Sequence, residues 1–352
     1  ANGLQYVATE VLQPGPQAMD YRSDNREHSI AVNIPKDMSF PSLMINGTSV
    51  DALTGVVAHD SRGKRVVVQE LTGFTDAPLP LPATAPADAL RVVGMNLLNY
   101  FNGDGSGGGF PTRRGAETFE AFQAQRARIG SAIKVLDAHV VAVMELENDG
   151  FGSKSAASDL IRLANEFTGH RWQVTRPVND DTGNDAIAVG IFYRSDKLET
   201  IGPSQTLKGP AFEASRQPQA QLFKRLDNGE KLLVVINHLK SKGSCPEDGE
   251  NANQNDGQGC WNPMRRISAD QMSAWANSVA AATKTDDILI LGDMNAYRLE
   301  DPIHAIRDNG FTELVEHRNS GTLYSFAYFG QHGTLDYAFG SDSLLPKVEN
   351  AF

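Results

Sequence analysis

Six apolar runs each carry, at one end, a polar side chain able to hold a cation, a phosphate oxygen or a proton. VVGMN delivers Asn96, VVAVME delivers Glu145 and VVINH delivers His238. LILGDMN delivers Asp293 and Asn295, GTLD delivers Asp336, and NDAIAVGIFY starts on Asp185. A single strand-end Asp is ordinarily a turn former, and a single His a hydrogen-bonded core residue. Repetition across six runs changes that reading, because burying such groups costs about 2–7 kcal/mol each unless they pair or bind an ion. Gathered at one edge of a fold, they would satisfy one another around a metal. A hard divalent cation such as Mg²⁺ takes oxygen ligands and keeps several waters, so one or two carboxylates and an amide suffice. Glu145 and Asn96 are the expected ligands. Phosphodiester hydrolysis also needs an activated water and donors to the phosphoryl oxygens. Asp293 would hold or deprotonate the water, Asn295 and His238 would donate to the nonbridging oxygens, and Asp185 would fix the His238 tautomer.

The elements that must position these groups are legible in the same runs. LRVVGMNLL, HVVAVMEL, AIAVGIFY, KLLVVINHL and DILILGDM are apolar on both parities, which predicts strands buried on both faces. Helical patterns alternate with them. Phe119, Phe122, Ile129, Ile133 and Leu136 form a stripe interrupted at Arg126. SDLIRLANEFTG predicts a helix stopped by Gly169, and RRISADQMSAWANSVAAAT predicts another. DPIHAIRDNG predicts a short helix with Asp301 as N-cap, Pro302 at its first position and Gly310 past its end. Doubly buried strands with outer helices imply two packed sheets flanked by helices, an α/β class.

The Pro- and Ala-rich stretch 77–89, APLPLPATAPADA, is expected to be a linker between residues 1–76 and 90–352. The first part has short β-type runs, SIAVNI and GKRVVVQEL, and predicts a small β module. Asn46 opens an NGT glycosylation triplet of little weight. The first residues carry neither a basic n-region nor an apolar h-region, so a leader, if one existed, is expected to be gone already. Cys245 and Cys260 bound a polar loop that cannot build a core, so a disulfide is expected there, in an oxidising compartment. Within that loop Glu247, Asp248, Glu250 and Asp256 lack EF-hand spacing. A solvated acidic loop is the plainer reading, a structural Ca²⁺ the second.

The 32 Lys and Arg against 43 Asp and Glu give a net charge of −11, which argues against coating nucleic acid by charge alone. It leaves room for an enzyme that meets phosphates through a cation and local basic residues. Arg113 and Arg114 after a Gly-rich loop, Lys240 after His238, and Arg265 beside the second cysteine are the candidates. Such contacts position a backbone without reading sequence. No apolar run approaches the roughly 20 residues that a bilayer demands.

MNLLNYF, VVAVMELEN, GNDAIAVGIFYR, INHLKSKGS, LGDMNAYRLEDP and GTLDYAFGS, in that order, resemble the endonuclease/exonuclease/phosphatase superfamily. The cysteine-bounded loop and the order of motifs look most like large secreted bacterial nucleases with a pancreatic-deoxyribonuclease-like catalytic domain. The resemblance implies a four-layered α/β sandwich and Mg²⁺- or Mn²⁺-dependent phosphodiester cleavage. It makes Asn96 and Glu145 metal ligands, His238 a phosphate contact with Asp185 as its acidic partner, and Asp293 with Asn295 the G-D-x-N pair. It makes Asp336 the partner of a second catalytic His in a late S-D-H motif. Here GSDS at 340–343 has Ser343 in that place and no His follows, so a chain lacking its last strands is expected. His332, close by in GQHGTLD, is a candidate substitute, with a loop histidine the plainer reading. The resemblance likens residues 1–76 to small, OB-type β modules. A nonspecific, extracellular (or periplasmic or surface-bound) monomeric nuclease acting on DNA, with RNA as a further substrate and no membrane insertion, is the expected function. A phosphatase, a sphingomyelinase-like phospholipase C with membrane-inserting aromatics, and a noncatalytic nucleic-acid binder are the rivals.

Overall fold

A computed structural model describes residues 5–35, 38, 49–60, 63–75, 86, 88–318 and 324–352. Asn46 and most of the stretch 77–89 lie outside the described residues. The elements run β1 (Gln5–Tyr6), α1 (Ala8–Val11), α2 (Pro16–Glu27), β2 (Ala31–Asn33), β3 (Ser49–Asp60) and β4 (Gly63–Thr75). Then come β5 (Val92–Tyr100), α3 (Phe119–Leu136), β6 (Val140–Glu147), α4 (Ala156–Thr168), β7 (Trp172–Val174) and β8 (Ile187–Arg194). They continue with β9 (Leu198–Thr206), β10 (Gln219–Arg225), β11 (Lys231–His238), α5 (Asn262–Thr283), β12 (Ile288–Asp293) and α6 (Asp301–Asp308). The last are β13 (Phe311–Glu313), α7 (Leu314–Arg318), β14 (Phe326–Tyr328), β15 (Gln331–Gly333) and β16 (Asp336–Ser341).

Two sheets carry the architecture, one ordered β5-β6-β8-β7 and the other β13-β16-β12-β11-β10-β9. The two-residue period of a strand explains why both parities are apolar. In β6, Val140, Ala142 and Met144 join Val234, Ile236, Leu289 and Leu291 in the core between the sheets. Val141 and Val143 face the other way, onto a core shared with Ile129 and Ile133 of α3 and Leu160 and Leu163 of α4. Leu233, Val235 and Ile290 face Met272 and Ala276 of α5 and Ile303 and Ile306 of α6. Helix, sheet, sheet and helix make the four-layered α/β sandwich that the runs predict.

Local signals explain the helix ends. Thr118 caps α3 by accepting from the Ala121 N–H, and Ser155 caps α4 by accepting from the Ser158 N–H. Gly169 closes α4 in the left-handed region. The N-cap of α6 is Glu300 rather than Asp301, which sits one place inside the helix. Arg126, which breaks the apolar stripe of α3, reaches across to Asp159 of α4 at 3.0 Å. Cys245 and Cys260 are joined in a disulfide.

Strands β3 and β4 form a long antiparallel ribbon, to which β2 adds in parallel. The preceding segment differs from a purely β reading. It holds α1 and α2, and β1 pairs in parallel with β15. Among the described residues no helix is long and apolar enough to cross a membrane.

Candidate active site

Asn96 and Glu145 lie where their neighbouring strands lose register. The β5–β6 pairing shifts between Asn96 and Tyr100, and the β6–β8 pairing shifts between Val143 and Leu146. Glu145 sits at φ +61°, a conformation that costs a non-glycine residue about 1–3 kcal/mol and that clusters at functional sites. The result is a carboxylate lifted out of its sheet. Its Oε1 accepts from the Asn96 amide at 3.1 Å and its Oε2 from the Asn99 N–H at 2.9 Å. The same Asn96 amide lies 3.4 Å from Oδ2 of Asp293, on the other sheet. One amide therefore ties together the two sheet ends.

β12 brings the next groups. Gly292 pairs with Asn237 of β11 so closely that a Cβ there would stand 2.1 Å from the Asn237 carbonyl oxygen. This explains the glycine of GDMN: His238 and Asp293, the next register pair, are drawn to the same level. Nε2 of His238 is 3.7 Å from Oδ2 of Asp293. The turn closes when the Asn295 N–H donates to Oδ1 of Asp293 at 2.8 Å, with Asn295 at φ +47° and its side-chain amide on the Leu239 carbonyl at 3.1 Å. Asp336 is the antiparallel register partner of Asp293.

The electrostatics follow from this crowding. Burial, with Asp336 and Glu145 close by, raises the Asp293 carboxyl pKa, opposed by its bond from Asn295. Burial and Glu145 also raise Asp336, whose Oδ1 is buried without a hydrogen-bond partner among the described residues. His238 is held well below its ordinary pKa by burial and then by the nearby Arg216 and Arg114 cations, so its ring is neutral. A cleft of about 250 Å³ opens over this group, lined by Asn99, Arg114, Glu145, Ile187, Arg216, His238 and Ser241.

Arg216 has no counterpart among the expected site residues. It precedes β10, is 7% exposed, and donates to the Leu239 carbonyl at 2.5 Å. Its Nε is buried without a partner among the described residues, and Asp185, Asp293 and Glu145 act on its charge. A lone Arg in a turn, in ASRQP, carries no periodicity to mark it.

Asp185 takes a different part from the expected one. Its carboxylate is 3.3 Å from Arg114 and 3.6 Å from Arg216, while Nδ1 of His238 has no partner among the described residues. Asp185 thus orients two guanidiniums toward the cleft rather than the imidazole. Arg114 lines the cleft, whereas Arg113 is exposed beside it. Lys240 is half-buried, with its ammonium 4.8 Å over the Trp261 ring. Arg265 corrects an expectation: it is fully buried and donates to the carbonyls of Lys240, Cys260 and Gln258. Those bonds bind the disulfide loop to α5, and although Arg265 Nε has no partner among the described residues, the side chain is fully buried and does not line the cleft. His332 turns its Nδ1 to the Gln5 carbonyl at 3.1 Å and packs its ring on Tyr324.

Among the described residues no three His, Cys, Asp or Glu side chains are grouped to hold a metal. The donor set nonetheless fits a hard cation that keeps its waters: Glu145 and the Asn96 carbonyl on one side, Asp293 and an unpartnered Asp336 oxygen on the other.

The chain belongs to the endonuclease/exonuclease/phosphatase family, whose sequence profile matches residues 96–350. Members of that superfamily are hydrolases of phosphoester bonds, and they typically use divalent metals. No curated protein matches the sequence. Similar solved structures include the human nocturnin catalytic domain, 13% identical with a TM-score of 0.47, over 72% of this chain and 82% of that one. Another is a mannosyl-6-phosphatase of Bacteroides thetaiotaomicron, 17% identical with a TM-score of 0.48, over 72% of this chain and 86% of that one. A humanised TDP2 of D. rerio is 15% identical with a TM-score of 0.46, over 72% of this chain and 83% of that one.

Proposed function

We propose that the protein is a divalent-metal-dependent phosphodiesterase that cleaves nucleic acid, DNA before RNA, without reading its sequence. The observation that carries this reading is a cleft lined by Glu145, His238, Arg114 and the half-free Arg216, beside which Asp293 lies 3.7 Å from His238 and pairs in register with Asp336. Such a site offers positive donors to a phosphoryl group and a carboxylate to the attacking water. Bound Mg²⁺ or Mn²⁺, held by Glu145 and Asn96, would polarise the phosphoryl group and offset its charge. Asp293, with its raised pKa and its Oδ1 held by the Asn295 N–H, accepts the proton of the attacking water. Arg216 and neutral His238 donate to the nonbridging oxygens, where charge develops. Arg114 and Asp185 steady the flanking backbone. These groups are assigned to the phosphoryl group, and contacts to phosphate position a backbone without reading its sequence. The disulfide fits an oxidising compartment, so we assign the protein to the outside of the cell, as a monomer.

Plasmid nicking with Mg²⁺, with Mn²⁺ plus Ca²⁺, and with EDTA tests this reading. Glu145→Ala and His238→Ala are expected to lower the metal-dependent rate by about 10²-fold or more each. No cleavage by a well-folded chain would sink it.

One observation supports a second reading, a phospholipase C of the same superfamily. Phe326, Tyr328 and Phe329 on the β14–β15 hairpin are 40%, 60% and 80% exposed. Exposed aromatics of this kind suit a lipid interface. Binding to sphingomyelin vesicles, with headgroup release and no nicking, would favour this reading over the nuclease.

A further inference from the structure

We propose that Glu10, on the short helix α1, is a positioning residue of the active site. It clamps together the two loops that deliver Asp293 and Asp336. The inference rests on reading those carboxylates as catalytic. Glu10 lies more than 280 positions from either loop in sequence, yet its side chain is 4% exposed inside the catalytic fold. Its carboxylate takes four donors. The Arg298 N–H at 3.4 Å and Arg298 Nε at 3.1 Å come from the loop that follows Asn295. The Thr334 N–H at 3.0 Å and Thr334 hydroxyl at 2.9 Å come from the residues that lead into Asp336.

The neighbouring contacts have the same direction. Arg298 continues to Glu313 at 2.7 Å and to the Thr334 hydroxyl at 3.1 Å. The Thr9 hydroxyl donates to Glu300 at 2.6 Å, and the Thr9 carbonyl accepts from the Leu299 N–H at 3.0 Å. β1 pairs in parallel with β15, the strand just before Thr334. The arm reaches the disulfide loop as well, where the Gly15 N–H donates to the Asp256 carbonyl at 2.7 Å.

A carboxylate meets this demand. It has two oxygens and about four lone-pair sites, whereas an amide offers one oxygen and turns an NH₂ toward the remaining donors. A carboxylate one methylene shorter would not span both loops from α1. Asp293 and Asp336 are register partners, so a tie between the loops next to them also holds the two carboxylates against each other. Residues 5–15 are therefore part of the catalytic unit, although they precede the β2–β4 ribbon in sequence.

Glu10→Gln and Glu10→Ala in the full chain test the clamp. Hydrogen exchange, read without substrate or metal, is expected to rise about tenfold in residues 294–300 and 333–337 of Glu10→Gln, with β11 unchanged. With Mn²⁺ and bis(p-nitrophenyl) phosphate, kcat is expected to fall about tenfold while KM stays within about twofold, and Glu10→Ala is expected to fall further. The isosteric Gln variant keeps the test open if the Ala variant fails to fold. Unchanged exchange in either segment, a uniform rise that includes β11, or wild-type kcat with loosened loops would overturn the proposal. A wild-type chain that cleaves nothing would defeat the phosphodiesterase reading alone, and the exchange arm would still decide whether Glu10 ties the loops.

Discussion

Arg216 shows what residue types alone leave hidden. Glu145, His238, Asp293 and Asp336 stand out because an ionisable group breaks an apolar run, and the structure brings all four together. Arg216 breaks no run, so nothing separates it in sequence from the solvated arginines of other turns. Arg265 fails the opposite way: it neighbours a cysteine and a helix start, but burial turns its guanidinium to three carbonyls. Asp185 was legible as a site residue while its partner was not, since strand parity gives a face and says nothing of what approaches across it. Asp185, Asp293 and Glu145 all act on the charge of Arg216, whose Nε is left over among the described residues. Arg216→Lys keeps a charge but loses the planar fork that would satisfy Asp185 and, in the proposed reaction, a phosphoryl oxygen together. Its kcat/KM for a phosphodiester is expected to fall about 10²-fold with Tm shifted by only a few degrees. Wild-type kcat/KM in a folded Arg216→Lys chain would remove Arg216 from the chemistry.

At the level of elements, doubly apolar runs translate directly into the facing strands of the sandwich, because a strand between two cores must be apolar on both parities. Helix α2 is the counterexample. Its sequence PQAMDYRSDNRE buries only Ala18 and Asn25, so no apolar stripe marks it. The approach of β11 to β12 is also invisible in a pattern, yet it sets the site. Gly292→Ala would drive a Cβ to 2.1 Å from the Asn237 carbonyl, with backbone φ at +151°. Strands that must part there also part His238 from Asp293. The expected cost is about 1–3 kcal/mol in urea unfolding, with a loss of activity larger than that of an equally destabilising change far from the cleft. Unfolding unchanged within about 0.5 kcal/mol would show that the two strands separate freely.

For the whole molecule, pH ties these local arrangements to stability, and its contributions have opposite signs. Asp293 and Asp336 have raised pKa values, so the folded state favours their protonated forms and their contribution to stability falls as pH rises through their ionisation. His139 works the other way. Its Nδ1 accepts from the Arg91 N–H at 3.0 Å, so the folded chain needs a neutral ring. Burial, followed by the Arg194 cation, pushes its pKa down to about 4 from an ordinary 6.5. The folded state therefore binds fewer protons than the unfolded chain between those values. The stability His139 contributes is complete above about pH 6.5 and is lost as pH falls toward about 4. The ring is only half-buried, and solvent screening reduces the contribution to about 1–2 kcal/mol. His139→Asn preserves an acceptor for the Arg91 N–H and removes the titration. Urea unfolding at about pH 7 and about pH 4.5 is expected to show the wild type losing about 1 kcal/mol more than this variant, since the carboxyl contributions are common to both and cancel. Parallel losses in the two chains would mean that His139 charges as readily in the fold as in water.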